Sequence, residues 1–407
     1  MSKKLTKNAL TATATTLAMA ASITSWAIEP QYIKLTESTL FIPTLQLKEV
    51  YDDNFHADDN NEQSSWITTL APSFTLAGKG NKSGYLINYT ASSDTFHSSQ
   101  KDNNTDHIFT AESNLEFNAR NRLKLNAGYR DIEETATLNQ NQENDQYNSK
   151  TIGGVYTYGA RTARAQIDLG ANYDELRYSN SNHLNDDEER DTTALRSTFY
   201  YRVAPDTRLL LEARHTDYDY ISDTNSSSTN IDLLTGVTWD ATAKTSGSIK
   251  VGRGQKDYDN SGIDTASTGM WEVGATWKPR TYSTFRLTTR RAFDEGSNSV
   301  GTIGDGTDTT VRNTNDDSAV KLQTTTLGWK HYWIEHLYSD LSYTRMDLEY
   351  LDSNREDKLN NIGLGLTYEM RRWLDIGLGY KYSENDSDVN SESYERNIYA
   401  LTINASL

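Results

Sequence analysis

Apolar and polar side chains take turns along most of this chain. Tyr85, Ile87, Tyr89 and Ala91 alternate with Leu86, Asn88, Thr90 and Ser92, and Leu123, Leu125, Ala127 and Tyr129 alternate with Arg122, Lys124, Asn126, Gly128 and Arg130. The same rhythm runs through Ala165, Ile167, Leu169, Ala171 and Tyr173, and through Ile362, Leu364, Leu366 and Tyr368. Successive side chains of a strand point to opposite faces. Each segment therefore has one apolar face and one face that is polar, small or charged, and the pattern predicts strands.

The connections between these segments are of two kinds, and they alternate. Short turns fall near 78–82, 119–122, 161–163, 204–207, 241–244, 278–281, 333–336 and 371–373. Longer polar loops fall at 53–64, 95–105, 135–148, 179–190, 222–229, 259–267, 295–317, 351–358 and 385–393. Eight turns and nine loops join eighteen strands, and the turns recur at intervals of about 40 residues, a repeating hairpin unit. An even strand number, short turns at one end, long loops at the other and one apolar face predict an all-β fold: a transmembrane antiparallel β-barrel with periplasmic turns and extracellular loops. Closure satisfies every backbone donor and acceptor, as lipid requires.

Three further features fit that architecture. Trp66, Tyr129, Tyr173, Trp239, Trp271, Trp277, Trp329, Trp333, Trp373 and Tyr399 lie toward strand ends, where amphipathic rings suit the headgroup zone. Tyr399, Leu401, Ile403, Ala405 and Leu407 alternate to the last residue, a terminal strand similar to the signal read by the bacterial barrel-assembly machinery, although Leu stands where that signal usually has an aromatic residue. At the other end, Lys3, Lys4 and Lys7 precede the modestly apolar stretch 9–21, and Ser25-Trp26-Ala27 resembles a cleavage site. Residues 1–27 are thus expected to be a signal peptide for Sec-type export, 28–38 a short periplasmic segment, and 39–407 a barrel in the outer membrane of a Gram-negative cell.

Composition narrows the function. Only 35% of residues are hydrophobic, lean for a globular core of 407 residues but suited to a barrel with a wet lumen. The absence of cysteine excludes disulfides, thiolate metal sites, a cysteine nucleophile and an acylated lipoprotein anchor. A formal charge of −17 argues against nucleic acid as a partner, since that binding needs a cationic surplus.

The stretch Glu49-Val50-Tyr51-Asp52-Asp53-Asn54-Phe55, the strand from Trp66 to Leu76 with Ala71-Pro72-Ser73-Phe74, and Gly84-Tyr85-Leu86-Ile87-Asn88-Tyr89 resemble the outer-membrane β-barrel porins associated with exopolysaccharide biosynthesis. Asp106-His107, the strand 111–117 and Arg120-Asn121-Arg122-Leu123 continue the likeness, which lies mainly in the first ~130 residues. The resemblance implies a conduit for exopolysaccharide export, or a companion of the periplasmic export machinery. Strand phase alone leaves two rivals standing: a general or oligosaccharide-uptake diffusion porin, and a structural or adhesive barrel with a plugged lumen.

If apolar residues face lipid, their alternates face the lumen. Arg130, Arg164, Arg196, Arg202, Arg214, Arg286 and Arg290 then form a candidate basic track for an anionic polymer, with Lys250 and Lys330 beside them. Glu112, Glu116, Asp168, Glu212, Glu272, Glu369 and Asp375 share that face, so lateral ion pairing is the competing reading, and inward tyrosines such as Tyr200 offer stacking surface for sugars. Acidic loop clusters (Asp52, Asp53, Asp58, Asp59 and Glu62; Asp186, Asp187, Glu188, Glu189 and Asp191) lack the spaced ligands of a calcium loop and read as solvated. The Gly/Asp/Thr-rich stretch 301–310 reads either as a constriction or as surface. His331, Glu335 and His336 miss the helical zinc spacing and read as a turn. No catalytic residue, metal or cofactor is expected. The expected partners are outer-membrane lipid, lipopolysaccharide, the assembly machinery and a polysaccharide with its export apparatus.

Overall fold

The computed structural model describes residues 32–135, 143–242, 244–295, 319–351 and 353–406. The predicted signal peptide, the stretch 301–310 and Leu407 lie outside the described residues. A short β1 (Ile33–Thr36) turns into β2 (Thr39–Asp52), followed by β3 (Ser65–Lys79), β4 (Ser83–Phe96), β5 (Asn104–Asn118), β6 (Asn121–Glu134), β7 (Asp145–Tyr158) and β8 (Ala165–Tyr178). Then come β9 (Arg190–Ala204), β10 (Thr207–Tyr220), β11 (Ser228–Thr242), β12 (Thr245–Tyr258), β13 (Ala266–Arg280) and β14 (Ser283–Asp294). The chain ends with β15 (Val320–Ile334), β16 (Leu337–Tyr350), β17 (Glu356–Arg371), β18 (Leu374–Ser387) and β19 (Tyr394–Ser406).

Each strand from β2 onward pairs antiparallel with the next, and β19 returns to β2 over Ser406↔Thr44 to Ile398↔Asp52, closing an 18-stranded barrel. β1 extends the lower edge of β2, with Ile33 opposite Phe41, just past the point where β19 ends. The closed sheet leaves no free edge in lipid, the physical reason this topology suits a membrane. One local interruption has a plain cause. The β3–β4 register passes from Leu70↔Ser93 to Ser73↔Thr90 without the two pairs between, where Pro72 has no N–H to give the ladder.

The period-two reading holds strand by strand. Leu47, Leu70, Phe74, Tyr89, Phe109, Leu125, Leu169, Phe199, Leu211, Leu364 and Leu401 all stand on the exposed outer face. Near the short-turn end the outer surface carries a ring cluster: Trp277 stacks on Phe285 at 5.3 Å, Phe285 on Trp329 at 5.9 Å, and His331 sits 4.5 Å from Trp333. Trp329 donates to Ser283 Oγ at 2.9 Å and Trp333 to Ser339 Oγ at 3.0 Å, so the indole N–H groups are satisfied. His331 thus belongs to this outer belt, while His336 lies in the turn 3.7 Å from Glu369. At the loop end the outer face turns charged, with Lys150–Glu175 at 2.6 Å, Arg177–Asp191 at 2.6 Å and Arg291–Glu349 at 3.0 Å. Strands of 12 to 16 residues exceed the ~9–11 a tilted span needs, and these ion pairs mark where they leave the apolar belt.

The outer face is directly testable. Leu378 is 59% exposed, and its cross-strand partners are Leu366 and Leu401. Leu378→Arg is expected to destabilise the folded barrel in bilayers by about 2–4 kcal/mol. Urea titration in vesicles measures this, and a wild-type midpoint would show that this position does not meet lipid.

Candidate functional site

The inner wall changes character along the barrel axis. At the loop end it is unexpectedly apolar. Val50, Ile67, Phe96 and Ile398 pack with the loop residue Phe55, and Val320, Met346, Leu348, Tyr350 and Leu359 form a second buried cluster. Ile132, Tyr147, Leu176 and Tyr178 form a third. Beside them Lys256 is fully buried, bonded to Glu295 at 2.7 Å and Ser228 Oγ at 2.6 Å, with its ammonium 4.7 Å from the Tyr218 ring centre. Tyr220 donates to the same Glu295 at 3.0 Å, and Arg190 lies over the Tyr220 ring at 5.6 Å.

Midway along β9–β13 the inward charges pair. Glu212 accepts from Thr198 at 2.8 Å, from Arg214 Nε at 2.7 Å and from Lys250 at 3.1 Å. Arg214 also forks onto Glu272 at 2.6 and 2.9 Å. Lys250 reaches Glu212 across β11 because its register partner there is Gly236. A Cβ at Gly236 would come within 2.1 Å of the Ile249 carbonyl oxygen, so this crossing tolerates no side chain.

Toward the turn end the wall is polar and open. Gln46 donates to Asn404 at 3.0 Å, and Asn88 donates to Ser73 and Thr75 at 2.9 and 2.8 Å. On β17 and β18 the inward positions include Gly363, Gly365, Gly377 and Gly379, which leave bare backbone on the lumen. On β9 and β10, Arg202 and Arg208 face each other across the ladder, and both donate to the carbonyl oxygen of Arg161 in the β7–β8 turn.

The predicted basic residues therefore divide. Arg196, Arg202 and Arg286 lie on the inner face with no ion pair among the described residues. Arg130 is also inward, opposite Ile108 and Ser149. Arg214 is locked by two carboxylates, and Arg290 pairs with Asp294 at 3.3 Å. Arg164 departs from the expectation: it precedes β8 in the turn, with its guanidinium over the outward Tyr201 ring at 5.6 Å. A strand-phase argument fails at a residue just outside the strand.

The start of the first acidic loop departs from its solvated reading, whereas Asp59 and Glu62 stand exposed. Asp52 is 1% exposed and takes a two-pronged bond from Arg396, whose Nε lies 3.0 and 2.8 Å from its oxygens. Asp53 accepts from the Asn397 amide at 2.6 Å and its side chain at 2.8 Å, and Asn54 donates to the Glu395 carbonyl at 2.9 Å. These bonds fasten the first barrel strand to the last. In the fourth loop, Tyr178 donates to Glu188 at 2.7 Å, and Ser181 donates to Glu143 through both amide and hydroxyl. The Ser181 hydroxyl and amide hold the Glu143 carboxyl below the usual carboxylate range. No group of three or more His, Asp or Glu placed to hold a metal occurs among the described residues.

The family model described as "Putative beta-barrel porin 2" matches residues 38–407. No curated protein matches the sequence. Among solved structures, the barrel is similar to the outer membrane protein OpdK of Pseudomonas aeruginosa, with 12% identity over 90% of this chain and 99% of that one and a TM-score of 0.48. It is likewise similar to OpdO of the same organism, with 10% identity, 90% and 97% coverage and a TM-score of 0.49. A third similar structure is OccAB3 of Acinetobacter baumannii, with 12% identity, 90% and 99% coverage and a TM-score of 0.46.

Proposed function

The chain belongs to this β-barrel porin family and forms an outer-membrane barrel, and from that premise we propose that it is a passive channel through which small hydrophilic solutes cross the outer membrane. The observation that carries this reading is the contrast between the two faces of one sheet. Leu, Phe and Trp cover the outside, whereas Gln46, Ser73, Asn88, Thr367, Asn404 and bare glycines line the turn-end lumen. A wall of that kind is wetted, and passage then depends on width and lumen charge. No bond is made or broken, so the reading includes no catalysis.

Polysaccharide export, which the sequence resemblance implies, is the weaker reading. An electrostatic track for an anionic polymer needs a continuous run of open cations. Here Arg214 and Arg290 are spent on carboxylates and Arg164 is turned outward, so the run is interrupted. Shorter solutes need no such continuity. Lipopolysaccharide around the charged outer collar, and the assembly machinery at the β19–β2 junction, are the partners this barrel would meet.

The test uses the full mature chain refolded into planar bilayers and liposomes. Stepwise conductance, together with liposome swelling in small sugars, is the expected result. A strain lacking the chain should lose uptake of such solutes while its extracellular polysaccharide stays unchanged. A folded barrel that neither conducts nor admits sugars would leave a plugged structural barrel. Loss of extracellular polymer on deletion would instead restore the export reading.

A further inference from the structure

We infer that the turn end of the lumen is electrically polarised, with an open guanidinium wall on β9 and β10 that binds the anionic group of a passing solute and a carboxylate wall facing it from β16 to β18. The inference rests on the passage reading above and adds the class of solute it favours: small carboxylates, phosphates or sulfates.

The guanidinium wall is defined by unspent donors. Arg202, two residues before the end of β9, and Arg208, second in β10, are cross-strand partners on the inner face. Arg202 Nη2 and Arg208 Nη2 converge on one acceptor, the Arg161 carbonyl oxygen, the latter at 2.6 Å. Arg208 also donates to Gln166 at 2.8 Å; Arg202 Nε is buried without a hydrogen-bond partner, so the terminal nitrogens are the donors that a solute can reach. Neither guanidinium is in an ion pair among the described residues, although two like charges drawn to one neutral oxygen is a costly arrangement. The arrangement is relieved when an anion sits between them, because guanidinium forks match carboxylate and phosphate oxygens. Arg122, second in β6 and inward, adds a third cation at the same depth. Of the acids on this side, Glu116 is held by Arg161 at 3.5 Å, whereas Asp168, bonded by the neutral Gln166 at 3.2 Å, keeps its charge beside Arg208, so Arg122, Arg202 and Arg208 give this arc a surplus of cations.

The facing wall carries the opposite sign at the same depth. Asp340 is fourth in β16, Glu369 lies two residues before the end of β17, and Asp375 is second in β18; all three point inward. In a closed ring of eighteen strands, β17 stands nine places from β8 and so directly across the lumen from the β6–β10 arc. Lys330 lies cross-strand from Asp340, with its ammonium 3.6 Å from the Tyr338 ring centre, and Arg286 flanks it on β14. Lys330 acts electrostatically on Asp340, Glu369 and Asp375 alike and Arg286 on Asp340, so these two cations offset part of the acidic wall and leave three carboxylates against them. Opposed charges in a narrow aqueous section set up a field across the lumen, so an anion is drawn to β9–β10 and a cation to β16–β18.

The experiment is the zero-current potential of the full mature chain in planar bilayers under a potassium chloride gradient. Arg202→Ala/Arg208→Ala is expected to lower the chloride-to-potassium permeability ratio by about threefold, and Asp340→Asn/Glu369→Gln to raise it. Arg202→Lys/Arg208→Lys keeps the charge and should stay near wild type, and heat-modifiable gel mobility reports that each barrel has folded. Inorganic phosphate should reduce current through wild type more than through the alanine variant. A conducting wild type whose ratio is unmoved by both neutralising variants, or moved the same way by both, would overturn the polarised lumen and leave the channel intact. A wild type that does not conduct would overturn the channel reading, and this one with it.

Discussion

Asp52→Ala is expected to be among the most damaging single substitutions in the barrel, lowering its stability by about 3–4 kcal/mol. The seam between β2 and β19 is the one place where strands far apart in sequence must meet, and its ladder has nine register pairs against fourteen on the other edge of β2. At the last pair, Asp52 takes both prongs of Arg396 and also accepts from the Asn54 amide at 3.1 Å. Removing the carboxylate leaves a guanidinium only 25% exposed without its ion-pair partner, and it frees the loop that clasps Glu395 and Asn397. Asp52→Asn keeps an acceptor for Asn54 but loses the charge, so it should fall between the two. Urea midpoints in micelles measure the loss, and amide exchange across 44–52 and 398–406 should accelerate more than in β7 or β8. If Asp52→Ala unfolds at the wild-type midpoint with unchanged exchange, the seam does not depend on this pair.

Most of the architecture is written locally and most of the site is not. Side-chain alternation is a nearest-neighbour property, so the four segments around Tyr85, Leu123, Ala165 and Ile362 could be phased from sequence, and each has its apolar face outward as expected. Eighteen strands followed from counting turns and loops. The rule that alternates of apolar residues are polar breaks at the loop end. There Ile132, Leu176, Met346 and Leu359 occupy inward positions because strands rising above the membrane bury against one another and their loops. Lateral ion pairing was legible as a reading, but the particular partners were not. Arg214 on β10 meets Glu272 on β13, 58 residues away, through the register of three successive strand pairs, and Arg396 meets Asp52 344 residues away only because the barrel closes. For the same reason the Asp52-Asp53-Asn54 stretch, acidic and loop-like in sequence, is the clasp of the barrel. Residues at the turn-end rim, such as Arg164, carry no strand phase to read.

Glu212→Ala is the second large effect, expected at about 3 kcal/mol, because it removes one of two carboxylates that neutralise Arg214 and Lys250 in a buried cluster. Glu212 is 4% exposed and receives four donors in all, whereas lumen water reaches Arg214, whose side chain is 20% exposed, and this holds the cost below that of a fully dry pair. The cluster also spans β9 to β13, so its loss loosens several neighbouring ladders at once. The charge argument has a distinctive consequence. Glu212→Ala/Lys250→Met restores neutrality and leaves the Arg214–Glu272 fork whole, so the double variant should recover more than half of the stability lost by the single one. A cavity explanation makes the opposite forecast, since two truncations open more space than one. Urea titration of wild type, both single variants and the double variant closes the cycle. A double variant less stable than Glu212→Ala would mean that packing over Gly236, and not the balance of charge, holds this wall together.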